Sequence, residues 1–200
     1  MNDEDRKILE EKIEELEGEI HELEHDLIHD YLTGLKTRAF FEEEIRVYLE
    51  AISQNDRGKR KEWFGFKNIS VVFFDIDHFK QVNDNHGHEI GDKVLKTVAT
   101  AIKESLRSGD TAARWGGEEM IVSLLGANEE DAKQKAEEIR SRVGELNFDG
   151  GLAVTISAGV ASAQKEELLE NLVKRADEAL YNAKETGRNK VITHSELAGQ

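Results

Sequence analysis

The sequence predicts an α/β fold of the α+β sandwich type, in which helices flank one central mixed, mainly antiparallel sheet and a coiled-coil helix precedes the domain. Three observations predict it. Residues 69–74 are apolar on both faces, as expected of a central strand. The segments after them are predicted to form, in order, a helix, a hairpin, a helix, a strand, a helix and a strand. The first residues of the chain repeat in heptads.

The N-terminal heptads have the pattern of a coiled-coil seam. Apolar residues recur at alternating steps of four and three: Leu9, Ile13, Leu16, Ile20, Leu23 and Leu27. Ile13 and Ile20 occupy position a and the leucines at 9, 16 and 23 position d, which favours a parallel two-stranded coil. We expect residues 1–29 to be a dimerisation stalk and residues 30–200 to be the functional domain. The alternative is a lone amphipathic helix that folds back on the domain.

Each later element follows from periodicity and from the residues that interrupt it. Asp30 breaks the heptad and Gly34 is a poor helix former, so the stalk ends there. Residues 53–61 are polar and predict a surface loop, and Gly116-Gly117 predicts a tight hairpin turn. The other predicted elements are helices at 38–52, 92–106, 129–146 and 165–184, strands at 69–74, 111–115, 120–125, 152–160 and 190–193, and a loop from 75 to 91.

Composition excludes several classes of function. The formal net charge of -15, from 42 acidic and 27 basic residues, argues against a general binder of nucleic acid. The absence of cysteine excludes disulfides and thiolate metal sites. No apolar run reaches the roughly 18 residues that a membrane span needs, and the acidic N-terminus does not resemble a signal peptide. We expect a cytoplasmic location with no nucleic acid or membrane partner.

Two acidic clusters border the predicted buried strands. Asp75 and Asp77 follow one strand, and Glu118 and Glu119 precede another. Carboxylates at strand ends are costly to bury without positive charge, which a divalent cation often supplies together with a phosphate. The sequence therefore predicts a metal-dependent nucleotide enzyme with Asp75 as a metal ligand. The alternatives are an aspartate turn and an ordinary hairpin with exposed acids. Because adjacent side chains of an extended segment point to opposite sides, we expect one glutamate to join Asp75.

Two cations follow near the end of the chain. Lys184 and Arg188 are four residues apart on either side of Gly187, where the last long helix is predicted to stop. They either compensate the dipole at a helix end or, if the fold brings them to the acidic clusters, bind phosphate.

Taken together, these residues resemble the GGDEF domain family, the bacterial diguanylate cyclases that join two GTP molecules into cyclic di-GMP. The similarity spans roughly residues 27–194. One departure is Met120, where phenylalanine commonly ends the signature. The motifs that carry it are Asp30-Tyr31-Leu32-Thr33-Gly34-Leu35, Phe74-Asp75-Ile76-Asp77-His78-Phe79-Lys80, Asn83-Asp84, Gly87-His88, Gly91-Asp92, Gly116-Gly117-Glu118-Glu119, and the stretch from Ala176-Asp177 through Tyr181 and Lys184 to Gly187-Arg188-Asn189.

The resemblance implies a role for each of these positions. Glu118 would accept the proton from the attacking hydroxyl, with Glu119 as its rival. A metal site for two Mg²⁺, or Mn²⁺ in their place, would consist of Asp75, the carbonyl of Ile76 and Glu118. Asn83 and Asp92 would read guanine. The phosphates would be bound by the side chains of Lys80, Lys184 and Arg188 and by backbone amides near His78 and Phe79.

The resemblance also implies assembly and regulation. Each domain would hold one GTP, so two sites must face each other in a homodimer, which the stalk would form. Arg107 and Asp110 match an inhibitory site for the product, cyclic di-GMP. A second arginine there would be Arg140 or Arg142, although Glu138 takes the aligned position, so feedback inhibition would be weak. The alternative is a catalytically inactive GGDEF module that binds GTP or cyclic di-GMP and signals through the coil.

Two further expectations concern the rest of the protein. Because the coil begins almost at Met1, we expect the chain to belong to a longer protein with an upstream sensor domain. The basic, aromatic stretch 57–66 is longer than the loops usual in the family, and its role is not predicted.

Overall fold

The described residues of a computed structural model of the chain, 12–19, 27–56 and 68–198, contain one six-stranded sheet with the order β1-β3-β4-β2-β5-β6. Three pairings are antiparallel (β2 with β4, β2 with β5, β3 with β4) and two are parallel (β1 with β3, β5 with β6). The strands are β1 Lys36–Thr37, β2 Ile69–Ile76, β3 Thr111–Arg114, β4 Glu119–Leu125, β5 Ile156–Ser162 and β6 Val191–Thr193.

Helices cover both faces of this sheet. Residues 12–19 are also helical. The helices of the domain are α1 Arg38–Asp56, α2 Phe79–His86, α3 His88–Glu104, α4 Glu129–Gly144, α5 Leu169–Glu185 and α6 His194–Ala198. The prediction of a mixed, mainly antiparallel sheet flanked by helices is confirmed.

Strand β2 is the centre of the fold because every one of its residues is buried. Alternate side chains of a strand point to opposite faces. Phe74 and its even-numbered neighbours therefore pack with α3 and α4, whereas Phe73 and its odd-numbered neighbours pack with α1 and α5. Asp75 lies near the C-terminal end of this central strand, in the last residue pair of the β2–β4 ladder.

The structure differs from the prediction in several places. Helix α1 continues to Asp56, so residues 53–56, predicted as the start of a surface loop, form its last turn because the helical hydrogen bonding continues through these polar residues. The segment predicted as a loop up to residue 91 forms α2 and the first turn of α3, because Gly87 alone separates two helical turns. Strand β5 begins four residues later than predicted, since its pairing with β2 sets its bounds rather than the apolar run. Helix α5 begins at Leu169, four residues after the predicted start. The two-residue strand β1 and the final helix α6 were not predicted.

Most of the predicted stalk and the whole of the 57–66 stretch lie outside the described residues. Of the stalk seam, the structure describes Ile13, Leu16 and Leu27, whose side chains are exposed in the single chain. Across the described ranges, no helix is both long and apolar enough to cross a membrane.

Candidate functional site

The two acidic clusters meet at one end of the sheet, where β2 finishes and β4 begins. Asp75 pairs with Glu119 across β2 and β4, at the end of that ladder. Residues directly opposite each other in antiparallel strands have side chains on the same face. Asp75 is buried, at 7 % exposure, so its carboxylate lies in the wall of the site rather than in solvent.

The turn between β3 and β4 carries Glu118 and leads into Glu119 at this end of the sheet. It is closed by the N–H of Trp115, which donates to the carbonyl of Glu119 at 2.9 Å. The Glu119 carboxylate folds back over Gly116, where a Cβ would lie 2.7 Å from Glu119 Oε2. Gly116 is therefore needed for this close approach. Glu118 lies in the turn itself, before the extended strand begins.

Asp75 is bonded to a cation of α5 and is nevertheless short of positive charge. Lys184 Nζ lies 2.7 Å from Asp75 Oδ2. Burial raises the pKa of Asp75 to about 6; the hydrogen bond and charge of Lys184 oppose that rise, and the charges of Glu118 and Glu119 add to it. We expected one glutamate to join Asp75, but the charges of both raise its pKa. Glu118 sits in the turn, where the alternation of an extended strand does not apply. The negative charges that act on Asp75 outnumber the single lysine, which favours a further cation at this site.

The carbonyl of Ile76 faces the second acidic cluster. The N–H of Asp77 donates to the carbonyl of Thr155 at 2.9 Å, so the backbone of Asp77 faces β5. Backbone groups of successive strand residues point to opposite sides. The Ile76 carbonyl thus faces the β4 side, one residue past the final pair of Asp75 with Glu119.

These groups suit magnesium better than a metal that needs a complete protein cage. Within the parts of the chain that are described, no three His, Asp or Glu side chains lie close enough to hold an ion alone. The donors at the site are carboxylate and carbonyl oxygens. Mg²⁺ prefers oxygen ligands and is usually held by one or two carboxylates together with substrate phosphates. The residues present therefore fit Mg²⁺ or Mn²⁺ with a phosphate completing the coordination.

The start of α2 provides backbone donors next to Asp77. His78 precedes the helix with φ of 58°, a conformation uncommon for a residue with a side chain, and such strain is frequent at functional sites. The carbonyl of His78 accepts from Gln81 at 2.8 Å. The first N–H groups of a helix have no acceptor within it and bind anions readily. The amides at Phe79 and Lys80 are in this position, and the Lys80 side chain is exposed.

A glycine lets Asn83 of α2 pack closely against α3. Gly91, in α3, is buried against the side chain of Asn83, and a Cβ at Gly91 would lie 1.9 Å from Asn83 Oδ1. The missing side chain therefore leaves the room in which the Asn83 amide lies. Asp92 is exposed and follows Gly91 directly. Asn83 of α2 therefore packs against the residue of α3 that precedes Asp92.

Asp77 holds the turn that carries Arg188. Its carboxylate accepts hydrogen bonds from Thr155 Oγ1 and Ser157 Oγ, both at 2.6 Å, and from the N–H of Asn189 at 3.0 Å. Arg188 and Asn189 both have positive φ, at 60° and 47°. Asp77 is therefore a positioning residue, a role that the sequence does not separate from that of Asp75.

A second positioning residue, Arg114, was not predicted. Its guanidinium donates to the carbonyls of Gly116 at 3.1 Å and Gly117 at 2.8 Å, and it forms an ion pair with Asp30 at 3.2 Å. Asp30 also accepts from the hydroxyl of Thr33 at 2.7 Å. Arg114 thereby joins the turn after the stalk to the glycine hairpin. Such a contact spans most of the domain and leaves no local pattern in the sequence.

Arg107 and Asp110 lie at a groove of about 470 Å³ on the far side of the domain. The Asp110 carboxylate is almost fully buried and accepts from the N–H of Leu125 at 3.2 Å. The Arg107 guanidinium donates to the carbonyl of Leu125, and its side chain is 68 % exposed. Asp110 therefore fixes the loop, and Arg107 is the part of the motif that a ligand can reach.

Neither Arg140 nor Arg142, the arginines expected to assist Arg107, is among the residues that line this groove, although Arg142 donates at 3.2 Å to Ser105 Oγ, which does line it. Arg140 donates to Glu137 at 2.6 Å and to Asn189 at 2.7 Å. Arg142 pairs with Glu104. The groove is lined instead by Lys135 of α4.

Comparison with known proteins identifies the family. Residues 27–190 match the family described as diguanylate cyclase, GGDEF domain. The chain is 43 % identical over 166 residues to diguanylate cyclase A of Treponema denticola, an alignment that covers 81 % of this chain and 43 % of that protein. Diguanylate cyclase DgcZ of Escherichia coli is 41 % identical, with 82 % of this chain and 52 % of that protein covered. The chain thus spans about half the length of these relatives.

A solved structure resembles the chain over nearly its whole length. The coiled coil and GGDEF domain of DgcB from Caulobacter crescentus, solved in complex with c-di-GMP, superposes with a TM-score of 0.83 at 28 % identity. The superposition covers 96 % of this chain and 100 % of that chain. The chain belongs to the GGDEF-domain family of diguanylate cyclases.

Proposed function

We propose that this protein is a diguanylate cyclase, which condenses two GTP molecules into cyclic di-GMP and releases two pyrophosphates. The observation that carries the proposal is the meeting of buried Asp75 with the Gly-Gly-Glu-Glu turn, beside the cation Lys184. A pure receptor has no need of acids placed to hold a metal. Several relatives that cover most of this chain are named diguanylate cyclases.

In this proposal Asp75, Glu118 and the Ile76 carbonyl hold two Mg²⁺ or Mn²⁺ ions. Bound there, the metals would stabilise the charge on the attacking 3′-oxygen and on the leaving pyrophosphate. Glu118 accepts the proton of the 3′-hydroxyl. Glu119 is the other candidate for that proton, although its carboxylate is folded against Gly116.

The same proposal gives the substrate contacts. Lys80, Lys184 and Arg188 neutralise the triphosphate, assisted by the amides that follow His78 and Phe79. Asn83 and Asp92 bind guanine, because a carboxylate can accept from both the N1–H and the exocyclic amine of that base. Adenine offers no such pair of donors, so Asp92 would be left without a partner. GTP is therefore preferred to ATP.

Gly91→Ala should weaken GTP binding without unfolding the protein. The new methyl group would displace the end of the Asn83 side chain, which is flexible, rather than backbone. Losing one hydrogen-bonding group costs on the order of tenfold in affinity. We expect that loss in the Kd for a non-hydrolysable GTP analogue, measured by calorimetry. Gly144→Ala, where a Cβ meets nothing within 4 Å, is the matched control. Equal affinities of the two variants would contradict the placement of Asn83.

Catalysis further requires two domains, and we propose that the stalk joins them as a homodimer. Ile13 and Leu16 are 53 % and 44 % exposed in the single chain and occupy positions a and d of the predicted seam, where a partner helix would cover both. Pairing through a stalk raises the effective concentration of one domain near the other, to about the millimolar range for short connections.

Leu16→Glu should convert turnover from a first-order into a second-order dependence on protein. At dilute concentration we expect the rate per chain to fall by about 100-fold, because the avidity of the stalk is lost. The rate should recover as protein concentration rises. Turnover at increasing concentration, with sedimentation velocity in parallel, measures both effects. Glu14→Gln, off the seam, should behave as the wild type. A fully active Leu16→Glu monomer would refute the dimer.

Product inhibition is part of the proposal. Cyclic di-GMP would bind the groove at Arg107, with Asp110 holding the loop and Lys135 as the second cation. A lysine binds phosphate as a point charge rather than through a bidentate fork, so inhibition should be weak. An upstream sensor domain and a cytoplasmic location remain predictions from the sequence.

Incubation with GTP and Mg²⁺, followed by chromatography of the products, tests the proposed function. Cyclic di-GMP and pyrophosphate in a 1:2 ratio are expected from a verified dimer. Binding of GTP or cyclic di-GMP without any product would instead identify the inactive module that signals through the coil.

A further inference from the structure

We propose that Arg38 is a positioning residue for the signature hairpin, defined here as residues 115–119, and that it acts through the indole of Trp115. The inference rests on the proposed function, since it concerns the placement of Glu118 for that reaction. The contacts of Arg38 are with Glu42 and Trp115, neither of which is assigned to binding the metal, the phosphates or guanine.

The indole of Trp115 is enclosed on three sides. The guanidinium carbon of Arg38 lies 4.0 Å from the centroid of the ring. Phe73 of β2 meets the ring edge-on at 5.6 Å and 73°, and Phe41 of α1 at 6.3 Å and 88°. Both phenylalanines are fully buried and belong to the core on this face of the sheet. Phe41 and Phe73 therefore form a rigid wall, and Arg38 covers the remaining side.

Arg38 is itself held in place. Its Nε donates to Glu42 Oε1 at 2.8 Å, one turn further along α1. A guanidinium fixed in this way over an aromatic face adds a directional attraction to the packing. Glu42 is three-quarters buried, which strengthens its attraction for the guanidinium. The pair thus forms a clamp on Trp115 that belongs to α1 rather than to the sheet.

The orientation of the indole bears directly on Glu118. The backbone of Trp115 closes the hairpin, because its N–H and that of Gly116 both donate to the carbonyl of Glu119, at 2.9 Å and 3.3 Å. A tilt of the Trp115 side chain would therefore move the turn that carries Glu118. The glycines at 116 and 117 have no side chains with which to resist such a movement.

Neighbouring residues hold the hairpin from the two faces of the sheet. Arg114 grips the glycine carbonyls from one face and is tied to Asp30, whereas Trp115 lies on the other face under Arg38. Asp30 lies in the short segment between the stalk and α1, and Arg38 is the first residue of α1. The geometry gives Arg38 a part in the alignment of Glu118 with Asp75 that is independent of the Arg114 contact.

Steady-state kinetics of three variants test the inference. The Arg38 side chain is 56 % exposed, so Arg38→Ala should lower kcat by about threefold, as loss of an exposed cation–π contact would, and leave the KM for GTP within twofold. Arg38→Lys should recover part of kcat, because it restores a cation over the ring. Arg46→Ala is the control for loss of an arginine from the same helix. Arg46 pairs with Glu170 at 2.8 Å and, at a longer 3.8 Å, with Glu42, whose hydrogen bond from Arg38 remains, so its loss should change neither constant.

A double-mutant cycle separates action through Trp115 from a general loss of stability. In a Trp115→Leu background, Arg38→Ala should have no further effect on kcat. Trp115→Phe serves in the same cycle if the leucine variant does not fold, and the effect of Arg38→Ala should then shrink. Additive losses, or equal kcat for Arg38→Ala and Arg46→Ala, would overturn the inference.

Fluorescence provides a readout that does not depend on turnover. With the only other tryptophan, Trp63, replaced by phenylalanine, Arg38→Ala should shift the emission of Trp115 and Arg46→Ala should not. An unshifted spectrum would count against the clamp. If wild type and Arg46→Ala both yield no cyclic di-GMP, the proposed function itself is refuted, whereas an active wild type with an indifferent Arg38→Ala refutes the inference alone.

Discussion

Glu118→Gln is expected to lower the formation of cyclic di-GMP by about 1,000-fold or more, because a charge that helps to hold the metals is worth several kcal/mol in the transition state. The amide keeps the shape of the side chain and removes its charge. Glu118 lies half-buried in the turn, so the fold should persist with an unchanged circular dichroism spectrum. Product formation at saturating GTP and Mg²⁺ gives the magnitude.

Glu119→Gln is the matched comparison, since it makes the same chemical change one residue later. The Glu119 carboxylate is folded over Gly116 and lines the groove beside Trp115. We therefore expect a loss of tenfold or less, an order-of-magnitude figure for a charge that acts at a distance. The opposite ranking, with Glu119→Gln inactive and Glu118→Gln active, would move the metal and proton roles to Glu119.

Asp75→Asn should abolish turnover and at the same time change how stability depends on pH. The pKa of Asp75 is raised from 3.8 to about 6, chiefly by burial. Between these values the folded wild type keeps a proton that the unfolded chain has lost, so its stability falls as pH rises from about 4 to about 6. The asparagine variant lacks this group and should lack this part of the fall, about 1–2 kcal/mol after allowance for solvent screening.

Urea unfolding at pH 4, 5, 6 and 7, without divalent cations, measures that difference. Lys184→Met is the companion variant. Its loss removes the hydrogen bond and charge that oppose the rise in the pKa of Asp75, so the fall in stability should extend to higher pH. Parallel pH profiles for the wild type and Asp75→Asn would show that Asp75 is not the buried, charge-poor group described above.

The fold could be predicted where a segment is apolar on both faces, because only a strand buried on both sides suits such a segment. Residues 69–74 have no polar face, and they form the central strand β2, buried throughout. Where a strand begins depends on its pairing rather than on composition. The apolar run at 152–160 did not give the start of β5, which is set by the register of β5 against β2. The same is true of β1, whose two residues are a strand only because β3 lies beside them.

Tertiary contact also explains why Gly91, the last residue of the predicted loop, lies inside a helix. A glycine costs a helix about 1 kcal/mol. In the structure the cost is accepted because Asn83 occupies the space that a side chain would fill. Local propensity and functional packing therefore conflict at this residue, and the packing prevails.

The site could be anticipated as a set of residue types but not as an arrangement. The two acidic clusters are visible in the sequence, and the fold brings both to Asp75. The contacts that orient them are long-range: Asp77 reaches Asn189, Arg114 reaches Asp30, and Lys184 reaches Asp75. None of these pairs has a spacing that a helix or strand period would reveal.

The central claim is that Asp75 and the signature hairpin share bound metal. Crystals grown with Mn²⁺ and a non-hydrolysable GTP analogue test it through the anomalous scattering of manganese. The account predicts anomalous peaks within about 2.0–2.3 Å of oxygens from both Asp75 and Glu118, with the triphosphate completing the coordination. Manganese bound elsewhere, or held by only one of the two acidic clusters while nucleotide is present, would contradict it.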